Sequence, residues 1–344
     1  MTDAQTSPIE PPALSENWGL LGNAWAVDML QKHLRHGTVR HAYLISGPSG
    51  LGRRSLALRF AQALDCPSPA APGVPCGVCR TCRQIEAMQF ADLAVVQAEK
   101  EGGVLKVEKV REVLHSLALK PYQGRYRVAL LLRFEEANPS AANALLKTLE
   151  EAPAHAVLLL TAETPEQLLP TIVSRCEILR LRPLPTAQVE AFLDAHGAAA
   201  GQAALLAHLS GGRPGYALHL LQDPASLDFR RQRLDDLGRL LGESRLERFA
   251  YAESLAKDKE TFRSALLVWL AYWRDVLLVA SGAAGRIANV DRSAQIEALA
   301  GRLSLAEART RVVELERAVE RLEKNVNPRL LAEVLLLDWP HTAA

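Results

Sequence analysis

The sequence runs to 344 residues, room for two or three domains at ~150 residues each. With 49% hydrophobic and 23% charged residues it is an ordinary folding composition, which excludes disordered and collagen-like chains. Lys and Arg number 40 against 39 Asp and Glu, a net charge of +1, so a strongly basic coat for nucleic acid is excluded and any such contact is local or made through partners. Residues 1–18 are rich in Pro, Ser and Glu and read as a flexible tail, with no basic start and apolar stretch of the export type. The most apolar later stretch, 265–280, is interrupted by Arg274 and Asp275. It falls short of the ~20 apolar residues of a membrane span and reads as a buried helix. The expectation is a cytoplasmic protein with no membrane partner.

Helical periodicity begins at Leu20 and runs to Arg35, with Leu20, Leu21, Trp25, Val27, Leu30 and Leu34 available for one face. Residues 41–46 (HAYLIS) are an apolar run that stops at Gly47, a buried strand. The glycine-rich turn 47–52 follows, then a helix over 54–64. Strand, glycine turn and helix in that order open a parallel α/β unit. Further strands are predicted over 92–97, 126–132, 156–160 and 177–181, and helices over 107–117 and 140–151, the last stopped by Pro153. Strands alternating with helices imply a parallel sheet covered on both faces. After Arg182-Pro-Leu-Pro185 the pattern changes to two or three short helices over 189–221, then to almost continuous helix from 224 to 339. The fold class is therefore α/β followed by all-α, with boundaries near 183 and 224.

Gly47-Pro-Ser-Gly50-Leu-Gly52-Arg53-Arg54 fills the frame of a phosphate-binding loop, G-x-x-x-x-G-K-[ST]. Glycines let backbone N–H groups converge on an anion at a helix N-terminus. Here Arg53 stands at the lysine position and Arg54 at the hydroxyl position. A guanidinium is a planar fork rather than a point charge, and Arg54 has no oxygen for Mg²⁺. Glu135 and Glu136 follow the strand at 126–132, where a nucleotidase of this kind places a metal-steering and a water-positioning acid; two solvated acids at a strand end is the competing reading. Both side-chain changes in the loop point away from hydrolysis, and ATP is not expected as a cofactor.

Cys66-x₉-Cys76-x₂-Cys79-x₂-Cys82 has the spacing of a tetrahedral metal site, four thiolates suiting structural Zn²⁺. A disulfide set and an iron–sulfur cluster are the alternatives. The first is disfavoured by the missing export signal, the second by the lack of redox context. Arg175, in Ser174-Arg-Cys176, lies between a helical turn and a strand. An arginine so placed can be presented to a neighbour's phosphate, although taken alone such a residue is more often a solvated or salt-bridged arginine.

Taken together, Asn143-Ala-Leu-Leu-Lys-Thr-Leu-Glu-Glu151 with Pro153, Ser174-Arg-Cys176, His41-Ala-Tyr-Leu, Gly47-Pro, the four cysteines and Asn325-Val-Asn-Pro-Arg-Leu-Leu-Ala-Glu333 resemble the clamp-loader branch of AAA+ proteins, over residues 18–340. Within it the chain is similar to the delta-prime class of the bacterial DNA polymerase III clamp loader. The resemblance implies a RecA-like domain over 19–182 with a zinc module at 66–82, a small helical lid over 183–223, and a helical collar for oligomerisation over 224–344. It also implies a non-hydrolysing stator that supplies Arg175 in trans as an arginine finger. Its partners would be gamma/tau motor subunits and the delta subunit, with the sliding clamp and primed DNA in the assembled complex. Arg213, in Gly212-Arg213-Pro214-Gly215, resembles the lid arginine with which a motor senses its own nucleotide, a use made doubtful by the altered loop. An ATP-hydrolysing motor using Arg53, and a free-standing zinc-containing nucleic-acid-binding protein, are the alternatives.

Overall fold

The computed structural model describes residues 17–100, 102–199, 201–283, 287–324 and 326–341. Most of the tail read over 1–18, and Asn325 of the terminal motif, lie outside the described residues. Trp18, assigned by sequence to the tail, is fully buried, stacks on Phe60 and donates its indole N–H to the Gly73 carbonyl at 2.9 Å. The packing divides the chain into two compact units. The first reaches Leu184 and takes in Arg213–Gly215; the second comprises Pro185–Gly212 and the residues from Tyr216 onward.

The first unit holds α1 (Ala24–His36), β1 (Ala42–Ser46), α2 (Arg53–Asp65), α3 (Arg80–Glu86), β2 (Leu93–Val96), α4 (Val107–Ala118), β3 (Arg127–Leu131), α5 (Pro139–Glu150), β4 (Ala156–Ala162), α6 (Pro170–Val173) and β5 (Glu177–Arg180). The strands form one parallel sheet in the order β2-β3-β4-β1-β5, with Tyr43 opposite Glu177 and Ala42 opposite Leu158. Every residue of β1 and β4 is buried. Alternation splits them between two cores. Tyr43, Ile45, Val157 and Leu159 pack with Leu56 and Phe60 of α2, while Ala42, Leu44, Leu158 and Leu160 pack with Val110 of α4 and Leu145 of α5. A sheet buried on both faces has no polar side, which is why its strands read as unbroken apolar runs.

The first helix starts four residues later than predicted. Asn23 adopts a left-handed conformation before it, which leaves Leu20 and Leu21 outside the helix, and Trp25 is 44% exposed. The Cys66–Cys82 segment runs into α3, which begins at Arg80, carries the buried Cys82 and continues past the segment to the fully buried Ile85.

The second unit is all-helical: α7 (Thr186–Ala195), α8 (Gln202–Ser210), α9 (Pro214–Gln222, entering it at Tyr216), α10 (Pro224–Gly242), α11 (Arg245–Leu255), α12 (Lys259–Ala280), α13 (Ser293–Ala300), α14 (Leu305–Glu323) and α15 (Pro328–Leu337). Capping boxes at Ser244/Glu247 and Ser304/Glu307 set the starts of α11 and α14. The core gathers on α12 through Trp269 and Trp273, which meet Trp339, and Leu315 and Leu322 of α14 join it fully buried. Sequence separates 183–223 from 224–344; packing instead groups 185–212 with the later helices and hands Arg213–Gly215 to the first unit. Among the described residues no helix is long and apolar enough to cross a membrane.

Candidate functional site

The glycine loop leaves the C-terminal end of β1 and enters α2. Gly47 has φ 144° and donates its N–H to the Glu163 and Ala162 carbonyls at 2.9 and 3.2 Å. A Cβ there would sit 3.0 Å from the Leu181 carbonyl oxygen, so backbone approach as well as conformation demands glycine. Gly50 and Gly52 have φ 86° and 88°, and Gly52 forms the N-cap of α2 with no capping side chain, as an anion-facing helix start requires. The geometry of a phosphate loop is thus present.

Two arginines occupy the positions of the loop lysine and hydroxyl. Arg53 is buried, and one terminal nitrogen lies 3.9 Å from a Glu135 carboxylate oxygen. Burial pushes the Glu135 carboxyl above its ordinary range, partly offset by the helical N–H of its own turn and by Arg53. Glu136, by contrast, is tied into the scaffold, accepting the Gly102 N–H at 2.8 Å and the Arg133 Nε–H at 2.9 Å. Arg54 is exposed and reaches the Met88 sulfur at 3.3 Å. Arg213 belongs to the same compact unit as the loop, and two residues on, Gly215 donates its N–H to the Gly50 carbonyl at 2.9 Å. The adjacent strap is thereby pinned to the loop itself.

Arg175 follows α6 and precedes β5. Its guanidinium donates to the Thr171 carbonyl at 2.9 Å and to Glu150 Oε1 at 2.7 Å. Because β1 and β5 are parallel and paired from Tyr43↔Glu177 to Ser46↔Arg180, Arg175 stands at the opposite edge of the sheet from the glycine loop. At ~3.3 Å per residue the paired stretch alone separates the two edges by ~10 Å. Sequence singled out Arg175 but not Glu150. Nothing in a spacing of 25 residues links them; the link exists only because α5 and α6 pack side by side.

The four cysteines converge. Their sulfurs all lie within 4.8 Å of one another, with Cys66–Cys76 at 3.6 Å, Cys76–Cys82 at 3.9 Å and Cys66–Cys79 at 4.0 Å, and none forms a disulfide. A tetrahedron with ~2.3 Å metal–sulfur bonds has sulfur–sulfur edges of ~3.8 Å, so the cluster has the size of a Cys₄ zinc site. Backbone N–H groups of Cys76, Cys79 and Cys82 donate to Cys66, Cys76 and Cys79 sulfurs respectively, the pattern that supports thiolates. Burial pushes the Cys76 thiol up, but the N–H groups of Cys79 and Val78 outweigh it and bring it to about 7. Burial raises Cys66 and Cys82. The donor set therefore fits a metal ion, and Zn²⁺ in particular, with no ligand position left over for chemistry.

Two family models match: DNA polymerase III, delta subunit, over residues 22–185, and the C-terminal part of the DNA polymerase III delta subunit over 224–341. The chain belongs to this DNA polymerase III delta family. Its similarity to delta-prime members is direct: 42% identity to the delta-prime subunit of Pseudomonas aeruginosa over 43% of this chain and 44% of that one, and 26% identity to that of Bacillus subtilis over 90% and 93%. The tau subunit of Escherichia coli is 37% identical over 51% of this chain, which spans only 27% of its length. The solved structure of a gamma-subunit-related protein from Thermotoga maritima aligns over 90% of this chain at 17% identity and a TM-score of 0.49, too loose a likeness to build on.

Proposed function

We propose that this member of the family is a non-hydrolysing stator in a DNA polymerase III clamp loader. It sits in a ring with gamma/tau motor subunits and delta, and supplies Arg175 in trans to a neighbour's ATP as the sliding clamp is loaded onto primed DNA. That role belongs in the cytoplasm. The observation that carries the reading is the division of labour between the two edges of the sheet. At the loop edge the chain lacks the hydroxyl that holds Mg²⁺ and the compact lysine charge, and Arg53 lies against the chain's own Glu135. At the other edge Arg175, two residues past α6, is held by the Thr171 carbonyl of that turn, away from its own loop.

In this reading the phosphate loop (Gly47, Gly50, Gly52, Arg53 and Arg54), Glu135, Glu136 and Arg213 are vestiges of a nucleotide site. Cys66, Cys76, Cys79 and Cys82 hold a structural zinc that fixes the 66–82 segment. Residues 183–223 act as the lid and 224–344 as the collar. Bound zinc would supply charge neutralisation and crosslinking, and the chain's own contribution is the N–H···S scaffold that sets the four sulfurs.

The test is the ATPase of a reconstituted loader with Arg175→Ala, beside ATP turnover by the isolated chain. An arginine finger is worth roughly 10³–10⁵ at its own site, but only one site in the ring depends on this chain, so a partial loss with intact assembly is expected. Wild-type rates with Arg175→Ala, or turnover by the isolated chain at a motor's rate, overturn the reading.

A further inference from the structure

A finger is useful only if its guanidinium is already where the phosphoryl group will be, and an arginine side chain two residues past a four-residue helical turn is not fixed by its backbone alone. Two contacts fix this one. Thr171, whose carbonyl takes one terminal N–H, belongs to α6, which is anchored by the fully buried Ile172. Glu150, which takes an N–H from the other terminal nitrogen, is the last residue of α5. That helix is capped by Asn138 and anchored by Leu145 and Leu149 at 0% and 2% exposure. Both anchors are pinned to the same core, so the guanidinium is held between two rigid elements rather than against a loop. The contacts leave Arg175 about a third exposed, and the rest of its donor fork has no acceptor among the described residues.

We infer that Glu150 is a positioning residue for Arg175: it holds the guanidinium extended along the end of α5, so that the open side of the fork meets a neighbouring subunit's phosphate in a fixed orientation. The inference rests on the reading of Arg175 as a finger acting in trans. The Glu150 side chain is 53% exposed, and exposed ion pairs contribute little to folding, so the contact matters for orientation more than for stability.

The experiment is steady-state ATP hydrolysis by the reconstituted loader carrying Arg175→Ala, Glu150→Ala, Glu150→Gln, or Glu150→Ala with Arg175→Ala. Assembly is followed by co-elution. Glu150→Ala is expected to reproduce most of the loss caused by Arg175→Ala, in kcat with KM for ATP unchanged, because the finger acts on transition-state charge. Glu150→Gln keeps the acceptor oxygen and is expected to retain most of the rate. The double variant is expected to be no slower than Arg175→Ala alone. Wild-type rates for Glu150→Ala in a loader that Arg175→Ala slows would overturn the positioning role and leave the finger standing. Additive losses in the double variant would do the same. Wild-type rates for Arg175→Ala would remove the finger and, with it, this inference.

Discussion

Arg248 is the most demanding polar residue in the second unit. It is 3% exposed and faces carbonyls rather than a carboxylate: Leu240 at 2.8 Å, Leu241 at 3.1 Å, Leu336 at 3.4 Å, Trp339 at 2.6 Å and Pro340 at 3.0 Å. These oxygens lie in the last turns of α10 and α15 and in the two residues, Trp339 and Pro340, just past α15, where the helix dipoles present their negative ends. One guanidinium therefore ties the ends of two helices far apart in sequence. Burial lowers its pKa, but it stays protonated, so the site depends on the fork and not on pH.

Replacing it with methionine, similar in length but apolar, leaves five carbonyls to find other donors. A hydrogen bond to a charged group contributes about 1.5–3 kcal/mol, and a buried acceptor left without a donor costs about 1–3 kcal/mol, less where water enters the site. Arg248→Met should then destabilise the second unit by ~4 kcal/mol. Arg248→Lys, with three donors on a flexible stem, should lose roughly half of that. With a urea dependence of ~1–3 kcal/mol per molar, the midpoint should fall by ~1.3–4 M. Tryptophan fluorescence suits the measurement, since Trp269, Trp273 and Trp339 lie in this core and Trp18 and Trp25 in the other unit. Two transitions are expected, and the later helices' transition is the one to read. An unchanged midpoint for Arg248→Met would mean that water satisfies the helix ends and the arginine does not hold them.

Zinc should be found at about one per chain by elemental analysis, and its removal by chelation should free backbone amides over 66–86 to exchange while those of β1 and β4 stay protected; less than about half a zinc per chain would contradict a stable site. Burial pushes the Asp92 carboxyl up, but the N–H groups of Tyr122, Gly124 and Gln123 and the Arg127 guanidinium outweigh it and hold it below its ordinary range. Its stabilising effect is therefore complete above the unfolded value of about 3.9 and lost as pH falls through the lower folded value. Asp92→Asn should lower the melting temperature at pH 7 and flatten the fall below pH 4, and parallel melting curves for the two proteins would refute this. Restoring the loop with Arg53→Lys and Arg54→Thr should confer Mg·ATP binding measurable by calorimetry, against none for the natural sequence; binding by the natural chain would show that Arg53 serves in place of lysine.

The sheet was legible because burial on both faces turns strands into short apolar runs, and all five strands, β1 to β5, begin within a residue of their predicted starts. The cysteine cluster was legible because its members are local: three of the four cysteines fall in a seven-residue span, and backbone N–H···S bonds link neighbours within the segment. Other features depend on tertiary placement and left no local trace. Trp18 sits among prolines and acids yet is core, because Phe60 and the Gly73 carbonyl receive it. Helix α3 has seven residues, too few for periodicity to show. The carboxylates Asp65 and Asp92 look like ordinary acids in sequence, but they are buried and together take five consecutive backbone N–H groups, those of residues 122–126.

The site depends on direction as much as on residues. In a parallel sheet every strand ends at one edge, so a loop after β1 and a side chain before β5 are placed on opposite edges by topology alone. Under the proposed role, head-to-tail stacking of like subunits, the heterologous arrangement that closes into rings, would bring one subunit's arginine edge onto the next one's loop edge. The two edges can then change independently. Substituting the lysine and hydroxyl positions at the loop leaves Thr171, Glu150 and the anchors beneath them untouched. In the proposed role, Arg53 and Arg54 at the loop would remove the chain's own nucleotide chemistry while the contacts that hold Arg175 for a neighbour stay in place.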